Sequence, residues 1–424
     1  MICYKSIFYM SKGFRNVKRC RICRSTKLYK FLDLGLMPIP NSFKKKEELI
    51  KKEKRYELAC YFCEQCGLVQ LSVVVDPTIM FKHYIYIPSM SKVMLNNFSS
   101  LVYEAHLKKG LDESSLVVDI GSNDGSLLAL FKAYGAKVVG IDPARNISKV
   151  AELNGIPTEV DLFSCLSAKK IKKKYGSCDV ITATNVVAHI DDLYGMFQGV
   201  DLLLKKDGIF IAEFPYLSDL IDKLEFDTIY HEHLSYFSLG SWKYLVEKCG
   251  FEICDLRRLQ IHGGSLRLTH RRKSSKRNPA KKTLDYLLNI EKQRGLNDKK
   301  TYDLFTLKVN NLKEELTVLI DSLKKEGKKI VGYGAAAKGN VLTNYFDIGK
   351  DKLDYIVDST PYKQGLFTPG KNIPVYSENK LLEDMPDYLL ILAWNFADEI
   401  MEKQDSYSIQ GGKFIIPLPE IKII

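Results

Sequence analysis

Two short cysteine pairs, Cys20-Arg-Ile-Cys23 and Cys63-Glu-Gln-Cys66, constrain the N-terminal part of this chain more than any other feature. A C-x-x-C turn sets two thiolates on one side of a tight loop, and two such turns close a tetrahedral zinc site. Four soft thiolates select zinc over magnesium or calcium. Cys60 lies three residues before Cys63 and offers a competing pair. Gly67, directly after Cys66, supplies the turn residue of a second knuckle, so the expected ligands are Cys20, Cys23, Cys63 and Cys66. With all four positions filled by protein, the zinc is structural. The remaining cysteines of the 10 are scattered bystanders, as suits a reducing, cytoplasmic setting.

The 424 residues give room for three domains of roughly 150 residues each. Hydrophobic residues at 46% and charged residues at 27% exclude a disordered or collagen-like chain. No apolar run reaches the ~18 residues of a membrane helix, and the first residues do not read as a secretory signal. The net charge of +12 raises nucleic acid, an anionic membrane and a phosphorylated substrate as partners. The excess lies in runs at 44–55, 169–174 and 271–282. The first is mixed with Glu47, Glu48 and Glu53, the second reads as the polar face of a surface helix, and the third as a linker. None interleaves aromatics with basic residues as a single-strand binder does. We expect no nucleic-acid or membrane partner.

The domains expected are a tail at 1–17, a zinc-binding domain at 18–90, a central domain at 91–280, a helical connection at 281–326 and a C-terminal domain at 327–424. The zinc domain carries a loop at 33–43 and a strand at 68–75. From Leu116, strands alternate with helices: strands at 116–120, 137–142, 178–183 and 208–213, with helices at 127–134 and 147–153. Such alternation means a parallel, doubly wound α/β sheet. Ser265 to Thr269 is expected as a late strand on its edge. A second alternation, with strands at 329–334, 355–358 and 388–393, predicts a further, Rossmann-like domain.

Val117-Val-Asp-Ile-Gly-Ser-Asn-Asp-Gly-Ser126 follows a strand and opens a helix. Glycines there let backbone approach a ligand closely. Asp142 ends the next strand, where an acidic side chain can hold two ribose hydroxyls. Asp119 and Asp124 would repel a pyrophosphate but suit a cationic amino-acid ligand, as S-adenosylmethionine is. The cofactor-binding residues expected are Asp119, Gly121, Asn123, Gly125, Asp142 and Asn185, the last at the cofactor's amino-acid end. Nucleotide binding or a dead site is the alternative.

Asp227-Thr-Ile-Tyr-His-Glu-His-Leu-Ser-Tyr236 holds two of only seven histidines. H-E-H is not the spacing of a zinc hydrolase. A general base oriented by polar neighbours fits better; a loop of structural histidines is the other reading. Gly332-Tyr-Gly-Ala-Ala-Ala-Lys-Gly-Asn340 also joins strand to helix, and its neutral loop with Lys338 suits phosphate at a helix N-terminus.

Together these motifs, with Gly67-Leu-Val-Gln-Leu71, His262-Gly-Gly-Ser-Leu-Arg267 and Asp358-Ser-Thr-Pro-Tyr-Lys-Gln-Gly365, resemble the S-adenosylmethionine-dependent sugar C-methyltransferases. These act on nucleotide-linked 4-keto-deoxysugars at carbon 3. The resemblance spans 20–416. It implies a central class I methyltransferase sheet, a zinc domain over the active site, and a C-terminal domain helping to hold a nucleotide sugar. It makes His233 the base, with Tyr230 and Glu232 in the same pocket. It also implies a tyrosine from the end of the zinc domain, for which Tyr84 and Tyr86 are candidates. Ile87-Pro88 stands where the family often has serine. Lys338 and Asn340 are the expected phosphate contacts. His262, Ser265 and Arg267 either contact substrate or complete an edge strand. The expected chemistry is proton removal next to a ketone by His233, then attack of the enolate on the S-adenosylmethionine methyl. The alternatives are N- or O-methylation of a related metabolite, or a non-catalytic zinc scaffold with a relic cofactor site. Monomer and small homo-oligomer both stay open.

Overall fold

The computed structural model describes residues 13–80, 91–273 and 278–424. Its N-terminal domain holds β1 (Phe14–Asn16), β2 (Leu28–Met37), β3 (Tyr56–Cys63), β4 (Val69–Leu71), β5 (Val73–Val75) and a short helix α1 (Pro77–Met80). β1 pairs antiparallel with β5. Residues 14–17 are therefore not tail: Val17 N donates to Ser72 O at 2.7 Å, and the Val17 side chain is buried. The 33–43 segment expected as loop is half strand, because β2 continues to Met37 through a shift in register between Asp33 and Leu36. Gly35, at φ +79°, supplies the backbone conformation that such a bulge needs. The single strand expected at 68–75 breaks at Ser72 into β4 and β5.

The central domain opens with α2 (Lys92–Lys109). Ser91 Oγ accepts from Met94 N at its start, and Gly110 at φ +59° ends it. There follow β6 (Leu116–Ile120), α3 (Ser126–Ala133), β7 (Lys137–Ile141), α4 (Arg145–Leu153), β8 (Thr158–Glu159), α5 (Cys165–Tyr175), β9 (Cys178–Thr184), α6 (Leu193–Leu203), β10 (Leu204–Pro215), α7 (Leu217–Asp222), β11 (Ser235–Tyr236), α8 (Leu239–Lys248), β12 (Phe251–Leu259) and β13 (Ser265–Arg272). The seven-stranded sheet has the order β12-β13-β10-β9-β6-β7-β8. β8, β7, β6, β9 and β10 run parallel, and β13 and β12 are antiparallel. β13 is not the edge strand it was expected to be; β12 covers it. Asp255, Arg257 and Arg258 disguise β12 in the sequence, and charges of this kind are what an edge strand carries. The lysine-rich run at 169–174 is the solvent face of α5, as expected.

β11 does not join this sheet. It adds to the zinc-domain sheet, in the order β11-β4-β3-β2, pairing Ser235 with Gln70 and Tyr236 with Val69. The loop before β11 is thereby clamped between two domains.

Helices α9 (Lys281–Gln293) and α10 (Lys299–Lys325) follow. Phe305, Val309, Leu312, Leu316, Ile320 and Leu323 recur along α10 at helical spacing and are buried in one core with Phe31, Leu32 and Ile330. α10 is thus a wall shared by the first and last domains. The C-terminal domain has β14 (Ile330–Tyr333), α11 (Ala337–Tyr345), β15 (Ile356–Val357), β16 (Val375–Tyr376), β17 (Tyr388–Ile391), β18 (Lys413–Ile416) and β19 (Lys422–Ile423). Its sheet order is β16-β15-β14-β17-β18-β19, parallel except for β19.

Candidate active site

The four cysteines converge. One Sγ from each of Cys20, Cys23, Cys63 and Cys66 lies within 4.8 Å of the others. Cys20 Sγ is 3.5 Å from Cys66 Sγ, and Cys23 Sγ 3.4 Å from Cys63 Sγ. A tetrahedron with Zn–S of ~2.3 Å has edges of about 3.8 Å, so the set fits zinc. Both knuckles close with a left-handed residue: Arg24 at φ +61° bonds back to Cys20 O, and Gly67 at φ +74° to Cys63 O. Cys60 is a fully buried core thiol on β3, outside the site.

A cavity of about 1260 Å³ opens at the carboxyl ends of β6, β7 and β9. Asp119, Gly121, Asn123, Asp142 and Asn185 all line it. Gly125 does not; it caps α3 at φ +79°, and an added Cβ would stand 3.0 Å from Ile156 and 3.2 Å from Ala151. Its role is close packing of the start of α3 against α4 and the Ile156 side chain. Asp142 accepts Asn123 N at 3.0 Å and Ala144 N at 2.8 Å, which fixes its carboxylate at the cavity wall. Burial raises its pKa, with the two backbone donors opposing. Asp119 accepts from Thr182 Oγ1 at 2.6 Å, and burial pushes its carboxyl up to about 7. Asn185 sits at φ +54°, and its buried Oδ1 has no hydrogen-bond partner among the described residues. Buried carboxylates and an unpaired acceptor on one wall fit a cationic, ribose-bearing ligand.

The second cluster adjoins this cavity. His233 Nδ1 lies 2.9 Å from Thr228 O. A carbonyl only accepts, so Nδ1 carries the proton and Nε2 the lone pair. Tyr230 OH then donates to Nε2 at 3.0 Å. His189, which lines the cavity, stacks on His233 at 5.1 Å between ring centroids. His233 keeps some exposed surface, but desolvation by the surrounding protein, followed by His189, Lys338 and His262, holds its pKa well below the ordinary 6.5. It is a neutral imidazole at neutral pH.

Glu232 turns the other way, toward the zinc domain, where Asn41 Nδ2 donates to Oε1 at 2.7 Å. Burial pushes this carboxyl up to about 7. Lys338 Nζ lies 5.0 Å over the Trp394 ring and is buried without a hydrogen bond among the described residues. Trp394 Nε1 donates to Asp227 at 2.7 Å. Asn340 Nδ2 donates to Pro40 O at 2.7 Å, tying α11 to the zinc domain. His262 takes a left-handed turn at φ +51° near Lys338, and its pKa falls to about 4, first through burial and then through the Lys338 charge.

Two expected substrate residues are not brought to the site. Ser265 is fully buried in β13 and donates to Ile261 O at 3.2 Å. Arg267 is buried with its guanidinium spent on Glu213 Oε2 at 2.8 Å, Glu104 Oε1 at 2.9 Å and Asn97 Oδ1 at 2.7 Å. It fastens α2 to the sheet. Tyr84 and Tyr86 lie outside the described residues. The sequence reading missed His189 and Glu225. His189 stands alone among apolar residues, and only its scarcity as one of seven histidines could have marked it. Glu225, pushed up to about 7 first by burial, faces Lys338 and Asp227.

The chain is 33% identical over 97% of its length, and 97% of the relative's, to the C-methyltransferase NovU of Streptomyces niveus. This chain belongs to the C-methyltransferase family. Three profiles cover this C-methyltransferase in succession: a zinc binding domain at 20–81, a methyltransferase domain at 98–256 and a C-methyltransferase C-terminal domain at 260–419. A ubiquinone biosynthesis O-methyltransferase of Pelagibacter ubique is 31% identical over 23% of this chain and 40% of its own. Among solved structures, the magnesium protoporphyrin IX methyltransferase of Synechocystis aligns over 42% of this chain and 79% of its own, with 17% identity and a TM-score of 0.32. The protein is an S-adenosylmethionine-dependent methyltransferase with a four-cysteine zinc site. No helix among the described residues is long and apolar enough to cross a membrane.

Proposed function

We propose that this C-methyltransferase acts on a nucleotide-activated ketosugar, with His233 as the base that forms the enolate. The observation that carries the reading is the His233 tautomer. With Nδ1–H tied to Thr228 O, Nε2 is left as the acceptor that a base requires. A depressed pKa keeps it unprotonated at neutral pH.

Tyr230 OH now occupies that lone pair. A ketone entering the site takes over the hydroxyl as donor to its oxygen, and this frees Nε2 for the hydrogen on the neighbouring carbon. As that hydrogen leaves, negative charge grows on the oxygen, where the phenol stabilises it. Asp119, Asn123, Asp142 and Asn185 would hold S-adenosylmethionine, which would supply an electrophilic methyl group; its S–CH3 bond would break as the enolate carbon bonds the methyl, leaving S-adenosylhomocysteine. Holding the two partners together can contribute ~7–11 kcal/mol of the barrier. Lys338 and His262 come from different segments and both act electrostatically on His233, and the Lys338 cation suits a phosphorylated ligand. The zinc stays outside the chemistry.

His233→Asn tests this with labelled cofactor and a panel of nucleotide ketosugars. Turnover on carbon should vanish while S-adenosylmethionine affinity, read by calorimetry, stays intact. Unchanged turnover would sink the mechanism. Methyl label on nitrogen or oxygen would overturn the acceptor.

A further inference from the structure

The first zinc knuckle carries a buried arginine between its cysteines. The Arg21 side chain is 3% exposed, although a charged arginine is seldom fully buried unless paired. Its Nη1 donates to Leu234 O at 2.8 Å and its Nε to Asp191 Oδ1 at 3.1 Å. Leu234 follows His233 directly, and Asp191 is two residues after His189. One rigid guanidinium therefore holds the backbone next to His233 and the Asp191 side chain two residues after His189, in loops far apart in the chain.

The surroundings reinforce this hold. Arg21 N donates to Gln70 Oε1 at 2.9 Å, and Gln70 pairs with Ser235 in β11. Ile22 O, the next residue of the knuckle, accepts from Tyr194 OH at 2.9 Å. Arg15 from β1 holds the same Asp191 carboxylate. Asp191 and Tyr194 both line the cofactor cavity. The knuckle thus grips the segment 191–194 and the turn after His233 at once.

We infer that Arg21 is a positioning residue, through which the zinc knuckle sets the distance between His189 and His233 at the reacting face of the cofactor cavity. A lysine in its place keeps the charge and much of the buried stem. It presents a single ammonium, which cannot span the carbonyl and the carboxylate as a planar fork does. Asp191→Asn loosens the same grip from the other side and leaves the knuckle sequence intact. The kinetic part of the inference rests on His233 being the base; the geometric part does not.

The test uses the zinc-loaded full chain with ¹⁵N-labelled histidine, bound to S-adenosylhomocysteine. In Arg21→Lys, and again in Asp191→Asn, the His189 and His233 imidazole signals should shift or broaden. His106 and His270, placed against Tyr134 and Trp242, should stay where they are, with about one zinc per chain retained. With an accepted ketosugar, kcat of Arg21→Lys, whose side chain does not line the cavity, should fall roughly ten- to a hundredfold while KM for S-adenosylmethionine stays within about threefold, the pattern of a misplaced group. Unmoved His189 and His233 signals in both variants would overturn the inference whatever the activity does. So would movement of every histidine signal with loss of zinc in both, which would make Arg21 a fold residue only. Shifted signals with unchanged turnover would leave the geometry standing and remove His233 as the base.

Discussion

Glu232→Gln should stabilise the protein, and increasingly so as the pH rises. The carboxyl is 1% exposed, its partner is the neutral Asn41 amide, and its pKa is raised from 4.5 to about 7, first by burial. A carboxyl with a raised folded pKa is no burden below its unfolded pKa. As the pH climbs from 4.5 through 7, the unfolded chain gains free energy by ionising earlier than the native one, and native stability is lost. A rise from 4.5 to about 7 corresponds to about 3 kcal/mol, reached by pH ~8, with about 2 kcal/mol already present at pH ~6. Glutamine keeps the shape and the oxygen that accepts from Asn41, and never ionises. Urea unfolding of the zinc-loaded chain at several pH values reads this directly. The variant should match the parent near pH ~4.5 and outlast it at pH ~8. A difference that is flat with pH, or a variant weaker at high pH, would refute the claim that Glu232 is a buried carboxyl without a cationic partner.

Arg267→Met should cost about 3–5 kcal/mol, because it leaves Glu213 and Glu104 buried with their shared cation gone; a loss below about 1 kcal/mol in chemical denaturation would contradict the network. Lys338→Met should move the acid limb of kcat/KM to higher pH. Lys338 is one of the charges that disfavour protonated His233, so its removal lets the base protonate at higher pH. A limb that stays put, with only KM changed, would leave Lys338 a binding residue alone.

How far the sequence spoke depends on what each element must bury. The strands at Leu116, Lys137 and Cys178 announced themselves because parallel strands covered on both faces are continuous apolar runs. The four zinc ligands were legible because their spacing is the site. β1 hid as tail because three residues, Phe14 to Asn16, carry no period, and only pairing with Val73–Val75 makes them a strand. β12 hid behind its charges. Gly125 was read as a ligand glycine because turn and helix packing demand the same residue type. Arg267 stayed open between substrate contact and edge strand because a conspicuous arginine in a motif looks the same whether it meets a ligand or two buried carboxylates. His189 was invisible because its partner, His233, is brought near only by the fold.

The segment 225–236 explains why three domains share one chain. Within it, Glu232 meets Asn41 of the zinc domain, the Leu234 carbonyl meets Arg21 of the zinc knuckle, and Asp227 meets Trp394 of the C-terminal domain. Asn340 closes the ring by reaching Pro40. These are polar contacts in buried surroundings, where a partner missing by an ångström leaves an unsatisfied group costing about 1–3 kcal/mol. Apolar faces tolerate sliding; directional contacts of this kind do not. The apolar core along α10 can hold the first and last domains together, but it cannot by itself decide their register at the site. The polar ring around 225–236 can, and it lies where His233 must be placed. A substitution in any of the three domains that breaks the ring should therefore be felt at the base before it is felt in the core.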